Sequence, residues 1–423
     1  MSKLYTALRK TDIKTEGKIY MEINVAKELV VEAGKKLVAK GLIARTWGNV
    51  SCRISDTHFC ITPSGRAYEN LAPEEIVVLN IADCSYEGNI KPSSEKGIHA
   101  SVYELKPDIN FVIHTHQLNA SVVSALGLDI NKVEAGSAAV IGDHVPNASY
   151  GLPGTKKLKK GVRAALERSD SKAVVMANHG ALCMGADFDE SFAVAAELEK
   201  VCEKFIFDRY SALTGSIAES FLSVGEYVNS LFQKGKSIAE FPACDSEREG
   251  DMLKLIPKDG GAPVRMDIKS GKFSVAEGEQ PVSAELHRQI YAKRKDVNCV
   301  IHSKNAETLA VSKAGYVLKP LLDDFAQLIG ATMNIADFDP NNTIKSSKKT
   351  VKKLKGRSAV LLKNNGAICV ASDMYDAEAI QMVVEKGART YFGAALFGRI
   401  KPINPVETRL MRFIYNQKYS KRK

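Results

Sequence analysis

The sequence predicts an α/β fold class, with helices layered on a sheet, and predicts it twice in one chain. Three observations carry this. The chain has 423 residues, too long for one ordinary domain of about 150 residues. Short apolar runs of strand length alternate with segments of helical spacing, the pattern of helices packed on one sheet. Two long stretches then recur in the same order, the mark of an internal repeat.

The first half yields its elements in turn. Residues 21–40, MEINVAKELVVEAGKKLVAK, carry apolar residues at helical spacing and stop at Gly41. VSCRI at 50–54, HFCIT at 58–62 and EIVVLN at 75–80 read as strands of a meander. Helix is expected over 95–105, 117–126 and 155–168, and INFVIH at 109–114 is a buried strand. AVVMAN at 173–178 and ALCMG at 181–185 are two more strands. The segment 187–208 opens with acidic residues, which suit a helix N-terminus, and runs on as a long helix.

The repeat is visible by eye. IHASVYELKPDINFVIHTHQLNASVVSALG at 98–127 matches LHRQIYAKRKDVNCVIHSKNAETLAVSKAG at 286–315. Each has a His, a Tyr, a polar stretch ending Asp-x-Asn, then VIH and a helix. AVVMANHGALCMG at 173–185 likewise matches AVLLKNNGAICVA at 359–371. The expected organisation is a first domain at 20–210, a partly helical connection at 211–249, a second copy at 250–400 and a basic tail at 401–423. The second copy is expected to be shorter at its front, with no counterpart of 47-WGNVSCRI-54.

Composition excludes several classes. At 45% hydrophobic and 26% charged the chain has enough apolar residues for real cores. No apolar run approaches the ~20 residues of a membrane span, and the first residues lack the apolar core of a secretory signal. Eight scattered cysteines without a C-x-x-C pair read as reduced thiols of a cytoplasmic protein. The net charge of +10 is concentrated in 345-KSSKKTVKKLKGR-357 and 418-KYSKRK-423. Tyr419 is the one aromatic residue within these runs, too few for a series of bases to stack on, so these lysines read as a solvated face and nucleic acid is not an expected partner. A basic surface still attracts phosphorylated small molecules.

Chemistry concentrates in the first copy. His114 and His116 stand at i and i+2 at the end of a strand and so share a face. Such a pair can chelate a divalent metal, though half-buried strands also carry incidental histidines. His179 follows a second apolar strand and precedes Gly180, so it is either a turn residue or a third ligand. Three imidazoles would leave one coordination position open, the catalytic arrangement. Ser93, Ser94 and Glu95 precede a helix. Alone they read as an N-cap with a first-turn acid. Beside the histidines they read as a phosphate-binding helix start and a general acid/base. Gly48 and Asn49 at one strand start, and Ser64 and Gly65 in a turn, mark ordinary turns or further anion contacts.

In their order GNVS, ITPSG, PSSE, HTH, NHG and a long closing helix, these motifs resemble the class II aldolase/adducin family over residues 22–208. The resemblance implies two tandem α/β/α domains, each with a central, mostly antiparallel sheet. It implies Zn²⁺ or another divalent metal on His114, His116 and His179, and Glu95 as metal neighbour and acid/base. It implies a phosphate pocket of Gly48, Asn49, Ser64, Gly65, Ser93 and Ser94. The expected activity is a lyase that cleaves a small ketose phosphate through a metal-stabilised enediolate. A 4-epimerase or dehydratase on a similar sugar phosphate, and a non-enzymatic adducin-like scaffold, are the alternatives. The epimerase branch carries Asp where this chain has Glu95. The fuculose-type branch carries a Tyr within the stretch matching 132-KVEAGSAAVIGDHVP-146, where this chain has none.

The second copy departs at three of the four key positions. His302 matches His114, but Lys304 replaces His116, Asn365 replaces His179 and Ser283 replaces Glu95. One imidazole does not hold a metal tightly, so this copy reads as structural or regulatory. Family members assemble as four-fold tetramers, and two tandem copies imply a homodimer that fills a four-domain ring.

Overall fold

The structure, a computed structural model, describes residues 13–15, 18–43, 47–232, 238–274 and 279–418. The chain divides into two compact units, the first running to Asp208 and the second over Arg209–Tyr415.

The first unit opens with a small antiparallel pair, β1 (Ile13–Thr15) and β2 (Lys18–Tyr20). Helix α1 (Ile23–Ala39) starts where the Glu22 carboxylate accepts from the backbone N–H of Asn24 at 2.9 Å and Val25 at 3.1 Å. It stops before Gly41, whose φ of 65° a glycine adopts at no steric cost. The strands are β3 (Asn49–Arg53), β4 (His58–Ile61), β5 (Val77–Asn80), β6 (Phe111–Thr115), β7 (Asn147–Ala148), β8 (Ala173–Met176) and β9 (Gly180–Gly185). The helices between and after them are α2 (Lys96–Leu105), α3 (Leu118–Leu126), α4 (Ala135–Ile141), α5 (Lys156–Glu167) and α6 (Phe188–Thr214). Strand order is β5-β4-β3-β6-β9-β8-β7, and only the β7–β8 pair is parallel.

Alternation along the central strands builds two cores. Phe111 and Ile113 of β6, with Ala181 and Cys183 of β9, face Leu29, Val30 and Leu37 of α1 and Leu198 of α6. Val112, Leu182 and Met184 point the other way, among Ile98 and Val102 of α2 and Leu158 and Val162 of α5. The unit is therefore a sheet between two helical layers. His114 shares the parity of Val112, so it lies on the face covered by α2.

The second unit repeats the sheet strand for strand. Its strands are β10 (Cys244–Glu249), β11 (Met252–Pro257), β12 (Val264–Asp267), β13 (Cys299–Ser303), β14 (Ile335–Ala336), β15 (Ala359–Leu362) and β16 (Ala367–Ala371). Their order is β12-β11-β10-β13-β16-β15-β14, again with one parallel pair at the end. The helices are α7 (Phe221–Phe232), α8 (Ala284–Lys293), α9 (Ala306–Ala314), α10 (Asp323–Leu328), α11 (Thr343–Leu354), α12 (Met374–Leu396) and α13 (Pro405–Lys418).

Three expectations need correction here. The second copy does have a counterpart of the GNVSCRI strand, and it is β10. Ser51 bonds His99 Nδ1 at 2.6 Å and Tyr103 Oη at 2.7 Å, and Ser246 bonds His287 Nδ1 at 2.7 Å and Tyr291 Oη at 2.9 Å. Arg53 and Arg248 each donate to carbonyls of the following helix end. The second sheet consequently begins inside the expected connection 211–249, which holds α7 and then β10. Residues 401–418 of the expected tail are largely helix α13, whereas 419–423 lie outside the described residues. Among the described residues, no helix is long and apolar enough to cross a membrane.

Candidate metal centre

Register brings the first candidate ligand into place. Asn49 of β3 and Leu182 of β9 flank His114 on either side. The third imidazole arrives on the turn between β8 and β9. Asn178 there takes a φ of 59°, a conformation that asparagine tolerates better than most residues. Ser124 of α3 clamps this turn: its hydroxyl donates to the Met176 carbonyl at 2.7 Å and accepts from His179 N–H at 2.8 Å. Gly180 permits the close approach, since a Cβ there would lie 2.4 Å from the Thr115 carbonyl oxygen.

The result is a triad. His114, His116 and His179 are all buried, and their ligand nitrogens lie within 4.8 Å of one another. His114 and His179 stack with ring centroids 4.9 Å apart, and His116 stands 4.7 Å from His114. His114 Nδ1–H donates to the Ala181 carbonyl at 2.9 Å, which leaves the Nε2 lone pair facing the other rings. Burial pushes His114 well below the ordinary imidazole range, so the ring is neutral, the form that ligates a metal. The donor set therefore fits a divalent ion of the zinc type, with an open position.

Glu95 sits where α2 begins, with Oε1 2.9 Å from His179 Nε2 and Oε2 3.4 Å from His114 Nε2. Burial alone raises its carboxyl. The His179 imidazole, whose Nε2 lies against Oε1, and the Asn49 amide outweigh this and hold it well below the usual carboxylate range. Asn49 Nδ2 donates to Glu95 Oε2 at 3.0 Å.

The loops expected to hold phosphate also converge. An isolated bridge pairs Pro63 with Pro92. Ser64 N–H donates to the Lys91 carbonyl at 2.9 Å and Ser93 N–H to the Thr62 carbonyl at 3.0 Å. The Ser93 hydroxyl accepts from Glu95 N–H at 3.2 Å, Ser94 is exposed, and Gly65 has φ 72°. Gly48, φ 79°, packs against β6 where a Cβ would lie 2.5 Å from the His114 carbonyl oxygen. Asn49 differs from its neighbours, because its amide turns inward to Glu95. Sequence reasoning missed Tyr68, whose buried hydroxyl donates to the Gly48 carbonyl at 2.8 Å, and Ser124. Neither lies in a short motif that would have marked it.

The corresponding point of the second unit is filled by its own chain. Asn364 Nδ2 donates to the Ile238 carbonyl at 2.7 Å and Asn365 Nδ2 to the Ala239 carbonyl at 3.0 Å. Phe241 N–H donates to Asn365 Oδ1 at 2.9 Å, Lys304 Nζ donates to the Phe241 carbonyl, and the Phe241 ring lies 5.7 Å from His302. Ser283 occupies the Glu95 position at the start of α8.

Comparison with known proteins places this geometry. The class II aldolase and adducin N-terminal domain family matches residues 28–206 and again 253–392. A 5-deoxy-D-ribulose 1-phosphate aldolase of Bacillus thuringiensis is 34% identical over 216 residues, 51% of this chain and 97% of the relative. An L-fuculose phosphate aldolase of Escherichia coli is 31% identical over 186 residues, 44% of this chain and 85% of the relative. A solved L-fuculose 1-phosphate aldolase, 30% identical, aligns with a TM-score of 0.41 over 46% of this chain and 89% of its own. The chain belongs to the class II aldolase and adducin N-terminal domain family and matches that family's domain in two successive segments.

Proposed function

We propose that the first unit is a metal-dependent lyase that cleaves a small ketose phosphate to dihydroxyacetone phosphate and an aldehyde. The observation that carries this reading is the buried triad of His114, His116 and His179 with the Glu95 carboxylate 2.9 Å from His179. The relatives act on 5-deoxy-D-ribulose 1-phosphate and L-fuculose phosphate by name, which favours a phosphorylated ketose of five or six carbons.

The three imidazoles hold the ion. When bound, a divalent ion supplies Lewis acidity that polarises a carbonyl and stabilises negative charge developing beside it. As the carbon–carbon bond breaks, the Glu95 carboxylate takes the proton of the hydroxyl on the carbon that becomes the aldehyde and returns it to the carbon freed by cleavage, and the same transfer runs backwards in the aldol direction. Gly48, Ser64, Gly65, Ser93 and Ser94 bind the phosphate, and that remote binding energy aligns the bond to be broken. The buried position of Glu95 keeps competing water from its carboxylate. We further propose a homodimer, for which sedimentation should give the mass of two chains.

The test is purified protein incubated with a panel of ketose 1-phosphates, with dihydroxyacetone phosphate assayed by enzymatic coupling. Release of dihydroxyacetone phosphate, abolished by a chelator and restored by a divalent ion, supports the reading. A 4-epimer or a dehydrated product in place of cleavage would contradict it.

A further inference from the structure

The Glu95 carboxylate is the end of a hydrogen-bond chain that runs through the interior of the first unit. Glu95 Oε2 accepts from Asn49 Nδ2 at 3.0 Å. Asn49 Oδ1 meets His99 Nε2, His99 Nδ1 meets the Ser51 hydroxyl at 2.6 Å, and that hydroxyl meets Tyr103 Oη at 2.7 Å. Ser51, His99 and Tyr103 are all buried.

With a neutral His99 ring, donor counting fixes every direction in this chain. A carboxylate only accepts, so the Asn49 NH₂ group faces Glu95 and its carbonyl oxygen faces His99. His99 must therefore carry its proton on Nε2. Burial depresses His99 to about 4, so the ring is neutral, and with Nε2 donating, Nδ1 is the acceptor and Ser51 donates to it. The Ser51 oxygen then accepts from Tyr103. Reversing any one member leaves two donors or two acceptors face to face in the interior.

The second unit serves as a natural deletion of half this chain. Ser246, His287 and Tyr291 reproduce Ser51, His99 and Tyr103. Cys244 and Ser283 stand at the Asn49 and Glu95 positions, and His287 Nε2 has no hydrogen-bond partner among the described residues. The Ser–His–Tyr part therefore belongs to the fold, since both units keep it. The link through Asn49 belongs to the unit with the triad.

We propose that His99 is a positioning residue: its Nε2–H fixes the Asn49 amide, and that amide holds the Glu95 carboxylate in the rotamer that faces the three imidazoles. The proposal rests on Glu95 being the acid/base of the proposed lyase. It adds a residue that touches neither the metal position nor the substrate.

Two substitutions divide the ring's functions. In His99→Gln the side-chain amide reaches the Nε2 position and can still donate to Asn49. In His99→Asn the side chain reaches only the Nδ1 position and can still accept from Ser51. His99→Asn should lower kcat of metal-loaded protein by roughly 10- to 100-fold, as for outer groups that orient site residues, with KM little changed. His99→Gln should recover most of that loss. His287→Asn in the second unit should leave kcat at the wild-type value. A purely structural His99 would instead lower stability in His99→Asn and leave kcat per loaded protein unchanged, which overturns the proposal.

A second readout does not need turnover. In ¹⁵N-histidine-labelled protein the resonance that disappears in His99→Asn should report an Nε2–H tautomer. An Nδ1–H tautomer there overturns the proposal whatever the enzyme cleaves. Protein with the Nε2–H tautomer that cleaves no ketose phosphate would refute the lyase reading and leave the orientation of Asn49 supported.

Discussion

The two units share one sheet, strand for strand, yet their centres have opposite characters. In the first, three buried imidazoles and a carboxylate meet at one point. In the second, Lys304 and Asn365 stand at two of the ligand positions and both bond the backbone of residues 239–241. The turn that presents the third residue survives in both. Asn178 and Asn364 have φ of 59° and 60°, and Gly180 and Gly366 both pack against the carbonyl at the end of the neighbouring strand. The scaffold is thus separable from the chemistry. Replacing two imidazoles turns a site that can hold a cation into one that holds its own chain, with no change of topology.

The sharpest way to break this comparison is at Glu95. Glu95→Gln should reduce turnover by about 10²- to 10⁴-fold, the usual contribution of a positioned acid/base, and leave metal content as in wild type. Coupled assays with metal analysis on the same sample check both halves. Serine stands there in the second unit, so Ser283→Ala should change neither quantity.

The glycine pair comes next. Gly180→Ala forces a Cβ against the Thr115 carbonyl, and Gly366→Ala places one 2.0 Å from the Ser303 oxygen at a φ of 72°. Each should cost about 1–3 kcal/mol of stability as an overpacked site, read as a lowered midpoint in denaturant. Only Gly180→Ala should also weaken metal binding, measured by competition with a chromogenic chelator.

Acid should destabilise the second unit through its histidines. Burial depresses His287 to about 3 and His302 to about 4, so both are neutral in the folded state. The unfolded chain takes up these protons near pH 6.5. Their contribution is complete above that pH and is lost as pH falls toward the folded values, at about 1.4 kcal/mol per pH unit for each ring. Denaturant titrations of wild type and His287→Asn at pH 7 and pH 5 should converge as the pH drops.

The smallest effect is expected at Lys304. Lys304→Ala removes the hydrogen bond to the Phe241 carbonyl and should cost about 1 kcal/mol, with turnover and metal content unchanged. A larger loss would mean that the segment 238–241 depends on this one bond.

Much of the fold was legible because the central strands alternate or run apolar and the helices keep their period. Phe111–Thr115 and its repeat Cys299–Ser303 are fully buried and read directly. Strand Cys244–Glu249 was not legible. Four of its six residues are charged, and its place is set by pairing with two neighbours and by Ser246 reaching His287. The short helix Ala135–Ile141 carries a glycine in its first turn and gives little helical signal. At the site, the i, i+2 spacing of His114 and His116 already implied a shared face, and His179 was marked by the strand before it and the glycine after it. The bonds from Asn364 and Asn365 to residues 238 and 239 span 126 positions, a distance over which no local pattern reports. The inward turn of Asn49 was equally invisible, because the same side chain could face solvent or the carboxylate.

The central claim is that the first unit alone holds one divalent cation on His114, His116 and His179. Its most direct test is the metal content of purified protein loaded with zinc and dialysed, measured by inductively coupled plasma mass spectrometry for wild type and His116→Ala. The account predicts one ion per chain in wild type and close to none in the variant. Two ions per chain, or an unchanged content in His116→Ala, would contradict it.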